Sequence, residues 1–173
     1  MTENINKVLE FHKTTGMKTL AKPGFLTNDR INLRMNLLQE ELDELEKAAY
    51  ERDIVEVLDA LCDLQYILHG AVLDFGLQEV FEEACAEVHS SNMSKFCNST
   101  WEAQESCKKY QFKGIETYYR LVNGKHIILR SADDKILKGM RFFEPRLRQI
   151  IDNFKKRLKN ENTVESDQGP VAG

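Results

Sequence analysis

Apolar residues recur every three or four positions through most of the first hundred residues, the period of helices packed along one side. Ile5, Val8, Leu9 and either Phe11 or His12 outline a first helix from Thr2 to about Thr14, with Thr2 as N-cap and Gly16 as stop. The stretch Met17 to Thr27, with Lys18, Lys22, Pro23 and Gly24, breaks the pattern and predicts a basic loop. Thr27 or Asn28 then caps a long helix striped by Ile31, Leu33 or Arg34, Leu37, Leu38, Leu42, Leu45 and Ala49. Arg52 and Asp53 mark its end, and Asp53 caps the next helix, Ile54 to about Phe75, which Gly76 terminates. The later half of that helix (Leu64, Ile67, Leu68, Ala71, Val72, Leu73) is apolar on nearly every side, which predicts a central position or a subunit contact. A third core helix, Gln78 to about Ser91, aligns Val80, Phe81, Ala84, Cys85 and Val88, and the three core helices are expected to form a bundle.

Beyond Lys95 the pattern weakens to a short capped helix from Thr100 through Tyr110. TYYRLV-NG-KHIILR then alternates, and Asn123-Gly124 between two β-rich runs predicts a type I′ hairpin near residues 116–131, lying against the bundle. Leu147, Ile150, Ile151, Phe154 and Leu158 return to helical spacing in a closing helix, with Pro145 near its start. The fold class is therefore all-α: one domain over 1–158, with its core at 28–96, the hairpin and closing helix at 115–158, and a disordered, apolar-poor tail at 159–173.

A length of 173 residues suits one domain, and a net charge of −4 with Lys and Glu interspersed argues against a polymeric nucleic-acid partner. Cys62, Cys85, Cys97 and Cys107 never form CxxC, so zinc and disulfide readings give way to reduced thiols. No leader pattern and no membrane-length apolar run is visible, and the expectation is a soluble cytoplasmic protein. The apolar excess of the helices predicts a homodimer through the later half of the Ile54–Phe75 helix.

The candidate chemistry lies in the acids of the two long helices. Glu41 with Glu44, and Glu56 with Asp59, are three residues apart, so each pair shares a helix face and two such faces form a cage for hard cations. Clustered carboxylates repel one another until a cation neutralises them. Asp43, Glu46 and Glu51 read as ordinary solvated acids, whereas Asp59 and Asp63 sit in a helix with little polar surface. Asp63 is balanced between a fifth ligand and an ion pair, for which Arg34 is the candidate partner. No His has a Glu three positions before it, so the di-iron bundle pattern is missing.

Glu41-x-x-Glu44 followed by Glu56-x-x-Asp59 resembles the ExxE…ExxD signature of the all-α, MazG-like NTP pyrophosphohydrolase superfamily. DALCDLQYILHGAVLDFGL (Asp59 to Leu77), EVHSSNMSKF (Glu87 to Phe96) and KILKG (Lys135 to Gly139) are similar to its phosphoribosyl-ATP pyrophosphohydrolase-like branch. The resemblance implies Mg2+, with Mn2+ as the alternative, held by Glu41, Glu44, Glu56 and Asp59 and joined by Asp63. It further implies Glu40 or Glu41 as the base for water, and Asn92 and Lys95 as contacts to ribose or phosphate. The implied reaction is hydrolysis of an NTP or dNTP, including modified or dUTP-like nucleotides, to NMP and pyrophosphate. Two alternatives stand beside it: phosphoribosyl-ATP as substrate in histidine biosynthesis, and a non-catalytic interaction protein with a structural cation.

Overall fold

The computed structural model describes the backbone of residues 1–167 and the side chains of 1–160. It is mostly helical, with one antiparallel hairpin. The chain divides into two compact units, with the boundary after Glu82.

The first unit holds α1 (Glu3–Thr14), α2 (Asn28–Glu51) and α3 (Ile54–Asp74). Each begins where a side chain accepts the otherwise orphaned N–H groups of the first turn. Thr2 accepts from Ile5, Thr27 from Arg30, and Asp53 from both Val55 and Glu56. Arg52 adopts a left-handed conformation at φ 58°, which ends α2 and turns the chain into α3 within two residues. The helix laid on the α2–α3 pair in this unit is α1, whose Ile5 and Val8 pack on Val72 and Leu73 with Leu9, Leu77 and Phe81 around them. Phe11 also meets Tyr66 edge to face at 5.8 Å. The last turns of α3, His69 to Asp74, are thus buried by their own chain, in keeping with the central position expected there. The large apolar residues left open on α3 are Ile54, Val55, Leu58 and Leu61 in its early half and Tyr66 and Leu68 in its later half.

The basic loop closes over the end of α3. Leu20 N–H donates to Leu73 O, Gly24 N–H to Phe75 O, and Gln78 Nε2 to Leu20 O. Gly76, at φ +65°, makes this possible, since a Cβ there would lie 2.1 Å from Lys22 O.

The second unit contains most of α4 (Phe81–Met93), α5 (Thr100–Gln111), the strands β1 (Thr117–Val122) and β2 (Lys125–Arg130), and α6 (Leu147–Asp167). Helix α4 starts three residues later than its periodicity suggests, and Cys85 and Val88 of the expected core face are exposed. The Asn-Gly hairpin forms with both turn residues at positive φ, Asn123 at 47° and Gly124 at 74°. Its inner face, Ile128 with Tyr119, packs with Cys97, Cys107, Ala103, Tyr110 and Leu137 into a small core. Helix α6 carries buried Ile150 and Phe154 and continues through Asp167. The expected tail from 159 is therefore helical as far as Asp167, since propagating a helix already nucleated by its apolar stripe fixes one residue per added hydrogen bond. Residues 168–173 lie outside the described residues.

Candidate functional site

The two-residue link makes α2 and α3 antiparallel neighbours, and the acids of one helix face those of the other along the seam. Glu41 is the inward member. It is half-buried, and its Oε2 is enclosed with no hydrogen-bond partner. Burial raises its carboxyl above the ordinary carboxylate value, and the charges of Asp63, Glu44, Glu40 and Asp59 raise it further. Five acids from two helices therefore share one electrostatic neighbourhood, centred on an oxygen that lacks a donor.

Glu40, Glu44, Glu56, Asp59 and Asp63 are exposed. The idea that the apolar surround of α3 hides Asp59 and Asp63 is corrected, since Leu58 and Leu61 beside them are open as well. Among the described residues, no three acid, His or Cys side chains are drawn together at metal-ligand spacing. The face is an open array of oxygen donors around one enclosed oxygen. That donor chemistry fits a hard cation that keeps part of its water shell and takes remaining ligands from phosphate.

Arg34 is not the partner of Asp63. Its Nε and Nη2 donate to Asp74 Oδ2 at 3.0 and 2.8 Å. Arg30 adds Nε to Oδ2 at 3.1 Å and Nη2 to Oδ1 at 3.2 Å. His12 of α1 stands behind them, its Nε2 3.5 Å from Arg34 Nη2 and its Nδ1 buried without a partner. Burial and the Arg34 charge hold this imidazole below its ordinary value. Gly70 gives the guanidinium its room. The sequence carried a sign of this cluster in Asp74, a lone acid inside the apolar run AVLDFG, and in Arg34, set on the apolar stripe of α2.

Asn92 and Lys95 belong to the second unit, at the end of α4 and just after it. They bond each other, Lys95 Nζ donating to Asn92 Oδ1 at 2.8 Å. The serines around them fasten the next segment: Ser91 Oγ donates to Phe143 O at 2.8 Å, and Ser94 Oγ accepts from Phe143 N–H. Gly139 N–H donates to Lys95 O at 2.9 Å, so the SNMSK and KILKG segments meet directly. Lys138 is engaged with Glu144 and with the Phe142 ring, and Lys108 with Glu105.

A family model described as phosphoribosyl-ATP pyrophosphohydrolase matches residues 8–92, the stretch that contains α2, α3 and all six candidate acids. Uncharacterized protein L479 of Acanthamoeba polyphaga mimivirus is 26% identical over 159 residues, covering 79% of this chain and 62% of the relative. The chain thus spans less than two thirds of the length of that relative. Members of the matched family hydrolyse phosphoric anhydride bonds and are generally dependent on a divalent cation. Residues 8–92, which hold the acid-faced antiparallel helix pair, thus form a domain matched by the phosphoribosyl-ATP pyrophosphohydrolase family, part of the MazG-like all-α NTP pyrophosphohydrolase superfamily.

Proposed function

We propose that the protein is a Mg2+-dependent nucleotide pyrophosphohydrolase that converts an NTP or dNTP to NMP and pyrophosphate. The observation that carries this reading is the enclosed, donor-free Oε2 of Glu41 amid Glu40, Glu44, Asp59 and Asp63. Glu41, Glu44, Glu56 and Asp59 are the proposed cation ligands, with Asp63 as a further one. When bound, the cation supplies neutralisation of phosphate charge and acidifies water. Glu40, exposed beside the ligands, is suited to take the proton from the attacking water. Water oxygen bonds to one phosphorus of the α–β anhydride and the bridging bond to that phosphorus breaks: attack at the α-phosphorus expels pyrophosphate, attack at the β-phosphorus expels NMP, and the products are the same. Asn92 offers an amide and Lys95 a cation for ribose or phosphate oxygens, once their mutual bond opens.

The description of the matched family favours one specific second substrate, phosphoribosyl-ATP, whose corresponding anhydride has the same chemistry. The open apolar residues of α3, Ile54, Val55, Leu58 and Leu61 with Tyr66 and Leu68 of its later half, support a homodimer through this helix. Among the described residues no helix is long and apolar enough to cross a membrane, and all four cysteines are free, in keeping with the proposed cytoplasmic location.

The deciding experiment incubates the purified chain and Mg2+ or Mn2+ with canonical, deoxy and modified NTPs and phosphoribosyl-ATP, and measures pyrophosphate. Turnover lost in Glu41→Ala or Asp59→Ala, with helicity retained, supports the assignment. No release from any substrate removes the catalytic reading and leaves a helical binding protein.

A further inference from the structure

The α2–α3 seam carries charges of opposite character along its length. Near the link it gathers carboxylates; at its far end it closes on an ion pair. Arg34 precedes Glu41 by seven residues, which is two helical turns and about 10 Å along the same side of α2. Asp74 follows Asp63 by eleven, three turns and about 16 Å along α3. The peptide link holds one end of the seam and the Arg34–Asp74 pair holds the other, with mutually repelling acids between them.

We propose that Arg34 and Asp74, supported by Arg30, are positioning residues that set the spacing of the two carboxylate faces. This rests on reading those faces as a cation site. Repulsion among the acids tends to hinge the seam open about the two-residue link. Asp74 resists that by accepting four N–H bonds, two from Arg34 and two from Arg30. An arginine fork has one planar geometry and fixes distance and angle together, which a lysine does not. Buried ion pairs add little net stability over apolar packing, so the use best matched to this one is register. The surroundings are shaped to hold it: Gly70 leaves space where any side chain would strike the guanidinium, and His12 backs it.

A merely structural role predicts lower thermal stability and unchanged cation affinity in the folded protein. Positioning predicts a loss of affinity with the fold intact. The test is Mn2+ binding to the full chain by calorimetry and by electron paramagnetic resonance, at a temperature where circular dichroism shows each variant folded. Arg34→Lys and Asp74→Asn are expected to weaken Mn2+ binding by about ten-fold, the scale seen when partners behind metal ligands are removed. Arg30→Gln, on the partly exposed second arginine, gives a smaller loss and keeps the test decisive if Asp74→Asn fails to fold. Leu73→Ala is the control: it removes a buried side chain next to Asp74 and lowers stability, but leaves Mn2+ affinity at the wild-type value. Unchanged affinity in folded Arg34→Lys and Arg30→Gln overturns the positioning role. A wild type that binds no Mn2+ overturns the cation site itself, and the role with it.

Discussion

Gly70 of α3 lies against the guanidinium of Arg34 so closely that a Cβ at Gly70 would stand 2.4 Å from Nη1 and 2.7 Å from Cζ. Glycine inside a helix ordinarily costs about 1 kcal/mol relative to alanine. Here the missing methyl is what admits the arginine. Gly70→Ala is therefore expected to destabilise the protein by about 1–3 kcal/mol, the range for overpacking, despite the better helix propensity. Thermal unfolding followed by circular dichroism reads the sign directly, and a rise in Tm contradicts the packing described.

Glu41 sets the next expectation, because its enclosed carboxylate is opposed by four neighbouring acids. With divalent cations chelated, Glu41→Gln removes that opposition and raises stability by on the order of 1 kcal/mol. Added Mg2+ raises the Tm of the wild type and has little effect on the variant. Differential scanning calorimetry in chelator and in excess Mg2+ gives all four values.

His12 predicts a pH response of definite sign. Its folded value is depressed from 6.5 by burial first and by Arg34 second, with Arg30 adding to the effect and Asp74 opposing it. The unfolded chain therefore binds the proton more readily, so the contribution of His12 is fully present above about 6.5 and is lost as pH falls below it. Denaturant titrations across that window should show stability falling towards acid, and His12→Asn should flatten this part of the profile while lowering stability above it.

The second unit has its own sensitive contact. A Cβ on Gly139 would lie 2.6 Å from Lys95 O and 2.8 Å from Cys97 Sγ. Backbone cannot yield as a side-chain tip does, so Gly139→Ala is expected to cost about 1–3 kcal/mol and to break the Gly139–Lys95 hydrogen bond. Hydrogen exchange should show lost protection at the Gly139 amide.

Local features proved readable in advance. Thr2, Thr27 and Asp53 cap their helices, and Asn123-Gly124 turns the hairpin, because each acts over a few residues of its own chain. The coverage of α3 is less accessible: both of its halves are apolar, and only the placement of α1 on Val72 and Leu73 decides that the stretch His69 to Asp74 is the one hidden. Asp59 and Asp63 lie outside that stretch and are exposed. The partner of Arg34 was within reach, however. Counting equally outward from the Arg52–Asp53 link places position 34 opposite position 71 and position 41 opposite position 64, beside Asp63, so the short link favours Asp74, one turn from 71, over Asp63, two turns away. The grouping of the acids along one seam followed from their spacing, while the enclosure of Glu41 Oε2 depends on side-chain packing that spacing does not encode.

The two-residue link also has a kinetic consequence. Helices joined so tightly pair from the link outward, since contacts near it close the smallest loops. The acids around Glu41 and Asp63 then approach before Arg34 can reach Asp74, so repulsion is met on the way to the native state and its compensation comes last. A divalent cation should accordingly quicken refolding as well as slow unfolding, whereas breaking the Arg34–Asp74 pair should chiefly quicken unfolding.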